Sequence, residues 1–305
     1  MKSVLKKIMD GNSLSEIEAF NLLSHIAEDN IHEAQIGAIL GALRTKGETS
    51  DEISGFAKYL KQKAVPFPYQ TDENETLIDT CGTGGDDTGS FNISTAVAFV
   101  LASGGVKVAK HGNKAVSSKC GSGDVLEALN IKINLEPKEI EDQINKNNFG
   151  FMFAPNYHSA MKFVGPTRKK IGKRTIFNMI GPLSSPALVK RQVVGVFDTK
   201  LLKIFANALN NLDIKFAWIV NSEDGLDEIS PYAKTNVIQL KENKISEIII
   251  DPKELNVNAD KFENLIGDNA KFNAEKMINI FKGEDNDFSK AVCLNAAAGL
   301  IVNET

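Results

Sequence analysis

The stretch from Asp79 to Asp124, DTCGTGGDDTGSFNISTAVAFVLASGGVKVAKHGNKAVSSKCGSGD, constrains the fold of this chain more than any other. A short apolar lead-in, Leu77-Ile78, enters a glycine turn, Gly82-Thr83-Gly84-Gly85-Asp86. Asn92-Ile93-Ser94-Thr95 then opens an apolar run of helical length that closes at Gly104-Gly105. A second short segment, Val106 to Ala109, leads into another turn, Lys110-His111-Gly112-Asn113. The pattern predicts strand, loop, helix, strand, loop. Both loops of such a unit leave the same carboxyl end of a parallel sheet, and open α/β sheets bind ligands there.

The residue types in the two loops suit an anion. Glycine lets the backbone approach a ligand closely, and the free N–H groups at a helix start, with the helix dipole, favour negative charge. Asn92, Ser94 and Thr95 add amide and hydroxyl groups at that start, and Lys110 adds a point positive charge from the second loop. Phosphate is the natural guest. Taken alone, the first turn is better read as an ordinary tight loop.

With 305 residues, 42% of them hydrophobic and 24% charged, the chain can bury an ample core as one large domain or two unequal ones. Its formal charge of -4 gives no basic face for non-specific nucleic-acid binding. Cys81, Cys120 and Cys293 are widely spaced and odd in number, which argues against a disulfide framework or structural zinc and for a reducing cytoplasm. Cys81 and Cys120 flank the loops, yet the sequence offers neither a His base, so they read as small buried residues. The N-terminal MKSVLKKIMDG lacks the apolar region of an export signal, and no run reaches the roughly 18 apolar residues of a membrane span.

Residues 1 to about 64 read as helices. Ser13 and Glu16 have capping-box spacing ahead of Leu14, Ile17, Phe20, Leu23 and Ile26. A second helix is predicted from about His32 to Lys46, stopped by Gly47, and a third begins at the Thr49/Glu52 box. Val65-Pro66-Phe67-Pro68 and a polar loop then break the chain. Beyond it strand and helix patterns alternate, with strands expected at Leu77–Thr80, Val106–Ala109, Ile131–Leu135, Gly150–Phe153, Val193–Phe197 and Ala217–Val220. Val237–Leu240 and Ile245–Ile250 read as a hairpin or a sheet edge, followed by helices at Pro252–Leu265, Ala274–Phe281 and Phe288–Ile301. The expected architecture is α/β: a small all-helical N-terminal domain, residues 1–66, and a larger α/β domain, residues 73–305, around a mainly parallel central sheet.

The whole Asp79–Asp124 stretch resembles the anthranilate phosphoribosyltransferases, in which these turns recur in this order. The likeness extends to Gly121-Ser122-Gly123-Asp124, His158-Ser159-Ala160-Met161-Lys162, Arg174-Thr175-Ile176-Phe177-Asn178, Gly181-Pro182-Leu183 and Gly225-Leu226-Asp227-Glu228-Ile229-Ser230. It implies magnesium-dependent transfer of a phosphoribosyl group from 5-phosphoribosyl 1-diphosphate to anthranilate. It also implies a homodimer formed through the helical domain, with helices within about 158–185 folding back onto that domain. Two departures stand out. Tyr157 occupies a position where many members carry a second histidine, and the chain stops at Thr305 about one helix before the family usually ends.

The donor carries two anionic ends, and the sequence offers two cradles. Gly82, Gly85, Asp86, Ser90 and Asn92, Ile93, Ser94, Thr95 suit the diphosphate. Lys110, His111, Gly112, Asn113, Lys114, Ala115, Val116, Ser117 and Ser118, with Ser122, suit the ribose and 5-phosphate. The resemblance implies only that these positions bind the donor together. Asp227-Glu228 alone would be a solvated acidic corner. Following Gly225 and a predicted strand, the pair offers the hard oxygens that suit Mg²⁺, and the resemblance adds Ser94 as a ligand. It also implies that Arg168 faces the acceptor carboxylate, for which a guanidinium fork is well shaped, with Asn113 and Gly82 nearby. On spacing alone Arg168 belongs to a basic helix surface with Lys169, Lys170 and Lys173. An arylamine is already neutral near pH 7. Lys110, His111, Asn113 and Arg168 are therefore expected to act by positioning and electrostatics, with His111 orienting the acceptor and His158 structural. The rival readings are a pyrimidine-nucleoside phosphorylase of the same superfamily and a non-catalytic, nucleic-acid-binding paralogue.

Overall fold

The computed structural model describes residues 2–28, 31–69, 76–86, 88–115, 119–257, 259 and 261–305. Four helices come first: α1 (Lys2–Met9), α2 (Glu16–Ala27), α3 (Glu33–Lys46) and α4 (Ser50–Lys63). Thr49 caps α4 in a reciprocal box with Glu52, and Gly47, at φ +88°, ends α3 as expected. The cap of α2 differs from the prediction. It is Ser15 with Glu18, where Glu18 N–H donates to Ser15 Oγ and Ser15 N–H to Glu18 Oε2. Tertiary contacts explain the two-residue shift: the buried Glu52 carboxylate takes the Leu14 N–H, and Glu16 is engaged by Ser54 and Lys58.

The α/β part runs β1 (Ile78–Asp79), α5 (Ile93–Ser103), β2 (Val108–Gly112), α6 (Ser122–Ala128), α7 (Pro137–Asn147) and β3 (Phe149–Phe153). Three short helices follow, α8 (Ala154–Tyr157), α9 (Gly165–Ile171) and α10 (Ile176–Ile180), with a 3₁₀ turn at Ser159–Phe163. The chain then continues through β4 (Arg191–Gly195), α11 (Leu201–Asn211), β5 (Phe216–Ser222), β6 (Thr235–Lys241), β7 (Lys244–Ile250), α12 (Ala270–Phe281) and α13 (Asp287–Asn303). The seven strands form one sheet in the order β3-β2-β1-β4-β5-β6-β7. From β3 to β5 neighbours are parallel, whereas β6 and β7 pair antiparallel, so the predicted hairpin is also the sheet's edge.

Two predicted elements are absent. Ile131–Leu135 is an irregular connection in which Ile133 is buried against Leu126 and Phe151 while β3 remains the terminal strand. The described residues of Pro252–Leu265 form turns and a 3₁₀ segment at Phe262–Leu265, not a helix.

One core runs from the helical bundle into the sheet. Ile39, Leu40, Leu43, Phe56 and Leu60 are continuous with Ile176, Phe177 and Ile180 of α10, then with α11 and the sheet residues Val194 and Ile219. Phe56 meets Phe177 edge-on at 5.8 Å. A second core, on the opposite sheet face, packs α5 and α13 over Ile78, Val108 and Val220. Among the described residues no helix is long and apolar enough to cross a membrane.

Candidate active site

The chain builds β1, β2 and β3 toward one edge, then returns to place β4 on the other side of β1. Loops leaving β1 and β4 diverge at that reversal and open a crevice. A cleft of about 1040 Å³ lies there, lined by the loops after β1, β2 and β5 and, opposite them, by α8, α9 and α10.

The first glycine turn is pressed against β4 and the segment after β5. A Cβ on Gly82 would lie 3.2 Å from the Gly195 carbonyl oxygen and 3.3 Å from Asp227 Oδ2. Thr83 N–H donates to that carbonyl at 2.8 Å, and Gly84 N–H donates to Asp227 Oδ2 at 2.9 Å. Gly84 and Gly85, at φ +60° and +70°, hold a left-handed turn that side chains disfavour. Arg174 lies over the Phe197 ring at 4.4 Å and donates to the Gly85 carbonyl, tying the turn to the segment before α10.

Asp227 and Glu228 are brought under this turn. Burial raises both carboxyls well above the usual range, reinforced by Asp86 for Asp227 and by Asp227 for Glu228. The opposing charge is Lys110. Its side chain is 1% exposed, and its Nζ donates to the Thr80 carbonyl at 3.3 Å and to Ser94 Oγ at 3.2 Å. Lys110 thus leaves β2 toward the first loop, bridging the two cradles. Asp86, Asp227, Glu228 and the Ser94 hydroxyl gather hard oxygens of the kind that fit a divalent cation. Among the described residues no group of three His, Cys, Asp or Glu is disposed to hold a metal.

Beneath the second turn, Asp79 is wholly buried and accepts the His111 N–H at 3.2 Å; burial pushes its carboxyl up to about 7, against the pull of Lys110. His111 Nδ1 lies 3.1 Å from the Gly181 carbonyl, which fixes the tautomer with Nδ1 as donor. The ring meets His158 edge-on at 5.2 Å. Burial, chiefly, lowers His111 to about 3 and His158 to about 4, so both are neutral near pH 7 and neither is poised as a general base.

Beyond His111, Asn113 is exposed and Lys114 pairs with Glu127 at 2.8 Å. The Asp124 carboxylate accepts the N–H groups of Ala115 and Gly121 at 2.8 Å each, closing the loop ahead of Ser122. Gly112 leaves room for Ser122, whose Oγ would be 3.2 Å from an added Cβ. Val116, Ser117 and Ser118 lie outside the described residues.

The remaining predicted residues divide by burial. Ile93 is almost wholly buried in the core yet still lines the cleft, whereas Thr95 is wholly buried and does not line it. Ser90 bridges to Ile266, and the Asn92 amide is held by Asn273 and the Cys120 carbonyl. On α9, Lys169 and Lys170 face solvent while Arg168 turns into the cleft, its guanidinium 5.4 Å from the Phe177 ring centre. Burial and neighbouring acid push the Cys81 thiol up to about 12, and burial takes Cys120 to about 11, which keeps both protonated near pH 7. Gly195 and Asn273 were not singled out by the sequence. A glycine ending the apolar Val193-Val194 pair is a sign of close backbone approach; Asn273 carries no such signal.

A helical bundle packed against an α/β sheet, with anion-cradling glycine turns at the sheet's switch point, is the build of a sugar-phosphate transferase. Residues 2–64 match the glycosyl transferase family's helical bundle domain, and residues 74–305 match its a/b domain. An anthranilate phosphoribosyltransferase of Pelagibacter ubique (strain HTCC1062) is 69% identical over 304 residues, covering 100% of this chain and 91% of that protein. The crystal structure of the Thermus thermophilus anthranilate phosphoribosyltransferase superposes with a TM-score of 0.90 at 34% identity, covering 99% of this chain and 89% of that one. The Saccharomyces cerevisiae enzyme, in complex with PRPP and Mg, superposes with a TM-score of 0.87 at 25% identity, covering 99% and 88%. The chain belongs to the glycosyl transferase family and, within it, to the anthranilate phosphoribosyltransferases.

Proposed function

We propose that this chain transfers the phosphoribosyl group of 5-phosphoribosyl 1-diphosphate to the amine of anthranilate, giving N-(5-phosphoribosyl)anthranilate and diphosphate for tryptophan synthesis. The observation that carries the reading is the Lys110 bridge. One buried ammonium from the second turn reaches Ser94 at the helix start of the first, beside the buried acids, so the two cradles share a wall.

In the reaction the bond from the anomeric carbon to the diphosphate oxygen breaks, a bond to the amine nitrogen forms, and the amine proton is released to solvent. The first turn and the start of α5 bind the diphosphate, while residues Lys110 to Ser118 with Ser122 hold the ribose and 5-phosphate. Asp227, Glu228 and Ser94 would hold Mg²⁺, which neutralises charge on the leaving group. Arg168 offers its fork to the anthranilate carboxylate from the opposite wall, with Asn113 and Gly82 nearby. Neutral His111 orients the amine. The Saccharomyces cerevisiae enzyme in complex with PRPP and Mg supports the donor and the metal.

The same reading divides the chain into a helical unit, residues 1–66 with helices within 158–185, and an α/β unit, residues 73–305. It makes the enzyme a cytoplasmic homodimer joined through the helical unit. Exposed Met9 and Ile17 on the bundle support the dimer, and three free cysteines support the compartment. Product formation tests the activity. Magnesium-dependent turnover is expected, with Arg168→Ala raising the anthranilate KM and Asp227→Asn abolishing metal-dependent turnover. Phosphorolysis of a pyrimidine nucleoside instead, or no calorimetric binding of the donor, overturns the proposal.

A further inference from the structure

After the 3₁₀ turn at Phe262–Leu265, the chain runs antiparallel to Gly89–Phe91: Phe91 N–H donates to Leu265 O at 2.9 Å and Gly267 N–H to Gly89 O at 2.8 Å. The fit is tight. A Cβ on Gly267 would lie 2.7 Å from Phe91 Cα and 2.9 Å from Asn273 Oδ1. Asn273, on the first turn of α12 and 2% exposed, begins a relay that crosses the donor site. Its Oδ1 accepts the Asp268 N–H at 3.0 Å, and its Nδ2 donates to Asn92 Oδ1 at 3.0 Å. Asn92 Nδ2 in turn donates to the Cys120 carbonyl at 3.2 Å. Reversing either amide would set donor against donor or acceptor against acceptor, so both orientations are fixed.

Asn92 occupies the N-cap position of α5, where an Asn side chain ordinarily folds back to accept an N–H of the first turn. Here it makes no capping hydrogen bond. We infer that Asn273 is a positioning residue for the donor site: it turns the Asn92 amide away from its own helix and across to Cys120, keeping the start of α5 open to the diphosphate. The same relay ties the first cradle to the second through the Cys120 carbonyl. The role rests on the donor-binding reading above.

Asn273→Leu keeps the volume and removes the relay; Asn273→Ser, milder, keeps one hydroxyl. With circular dichroism and melting as folding controls, the Leu variant is expected to raise the donor KM about tenfold, with the anthranilate KM changed less than about twofold. The Ser variant should fall between it and wild type. Cys120, which shares a hydrogen bond with Asn273, supplies a readout that needs no donor. That bond favours the thiolate, so its loss should slow alkylation of Cys120, followed by peptide mass spectrometry, in both variants. An unchanged donor KM, a parallel rise in both substrate constants, or unchanged Cys120 alkylation overturns the inference. A wild type that binds no donor refutes the functional reading instead, and the alkylation rates then still decide whether Asn273 holds the loop.

Discussion

Replacing Gly195 by Ala tests how the acidic pair is held in place. Gly195 ends β4, and an added Cβ would fall 1.5 Å from the Asp227 carbonyl oxygen and 2.6 Å from its carbonyl carbon. Carbon and carbonyl oxygen tolerate about 3.3 Å, so the Asp227 backbone must retreat by about 2 Å. It has nowhere to go without loss. The segment is anchored immediately after Asp227, by Ser222 Oγ donating to the Glu228 carbonyl at 2.7 Å and by Ile229 N–H donating to the buried Asn295 at 2.9 Å. Overpacking of this kind costs about 1–3 kcal/mol, and a 1 Å displacement of reacting groups costs about 100-fold in rate. Gly195→Ala should therefore stay folded, with a lowered melting temperature, and lose at least about 100-fold in kcat/KM for N-phosphoribosylanthranilate formation. Gly41→Ala, with no atom within 4 Å of its added Cβ, serves as a control and should leave activity unchanged. A Gly195→Ala enzyme with wild-type kcat/KM would refute the argument that backbone contact at this glycine sets the position of Asp227.

Two further predictions concern stability. His158, held near 4 against 6.5 unfolded, binds its proton more readily in the unfolded chain, so its contribution is intact above about pH 6.5 and is lost as pH falls toward 4. The His158→Phe variant should gain on wild type by up to about 3 kcal/mol between pH 7 and 4 in urea titrations, and parallel curves would contradict this. Lys61, lowered to about 8 first by burial and then by Lys190, is penalised while charged, below about pH 8. Discounted for its residual exposure, removing the charge in Lys61→Met should stabilise the protein by about 1–2 kcal/mol at pH 7. The gain should shrink as pH rises from 8 toward 10, and a gain independent of pH would rule out the desolvation account.

The sequence was most readable where local chemistry decides structure. The two glycine turns, the Thr49/Glu52 cap and the alternation of strands each depend on neighbours within a few residues. The α2 cap was ambiguous because Ser13-x-x-Glu16 and Ser15-x-x-Glu18 have identical spacing, and only the distant Glu52, Ser54 and Lys58 separate them. Ile131–Leu135 alternates like a strand, yet its apolar residues pack on Leu126 and Phe151 without sheet pairing. Within the site, the direction of Lys110, the clash that keeps residue 195 a glycine and the reach of Asn273 to Asn92 are contacts spanning 16, 32 and 181 residues, which no local pattern encodes.

The core shared by α4 and α10 bears on how the chain folds as it is made. Phe56 cannot find Phe177 until 121 further residues have left the ribosome, by which time the first three strands are also out. The amino-terminal helices therefore emerge with part of their apolar surface bare and wait on a distant segment to cover it. A nascent chain arrested before residue 176 should carry that bare patch, a natural target for chaperones that recognise exposed apolar side chains.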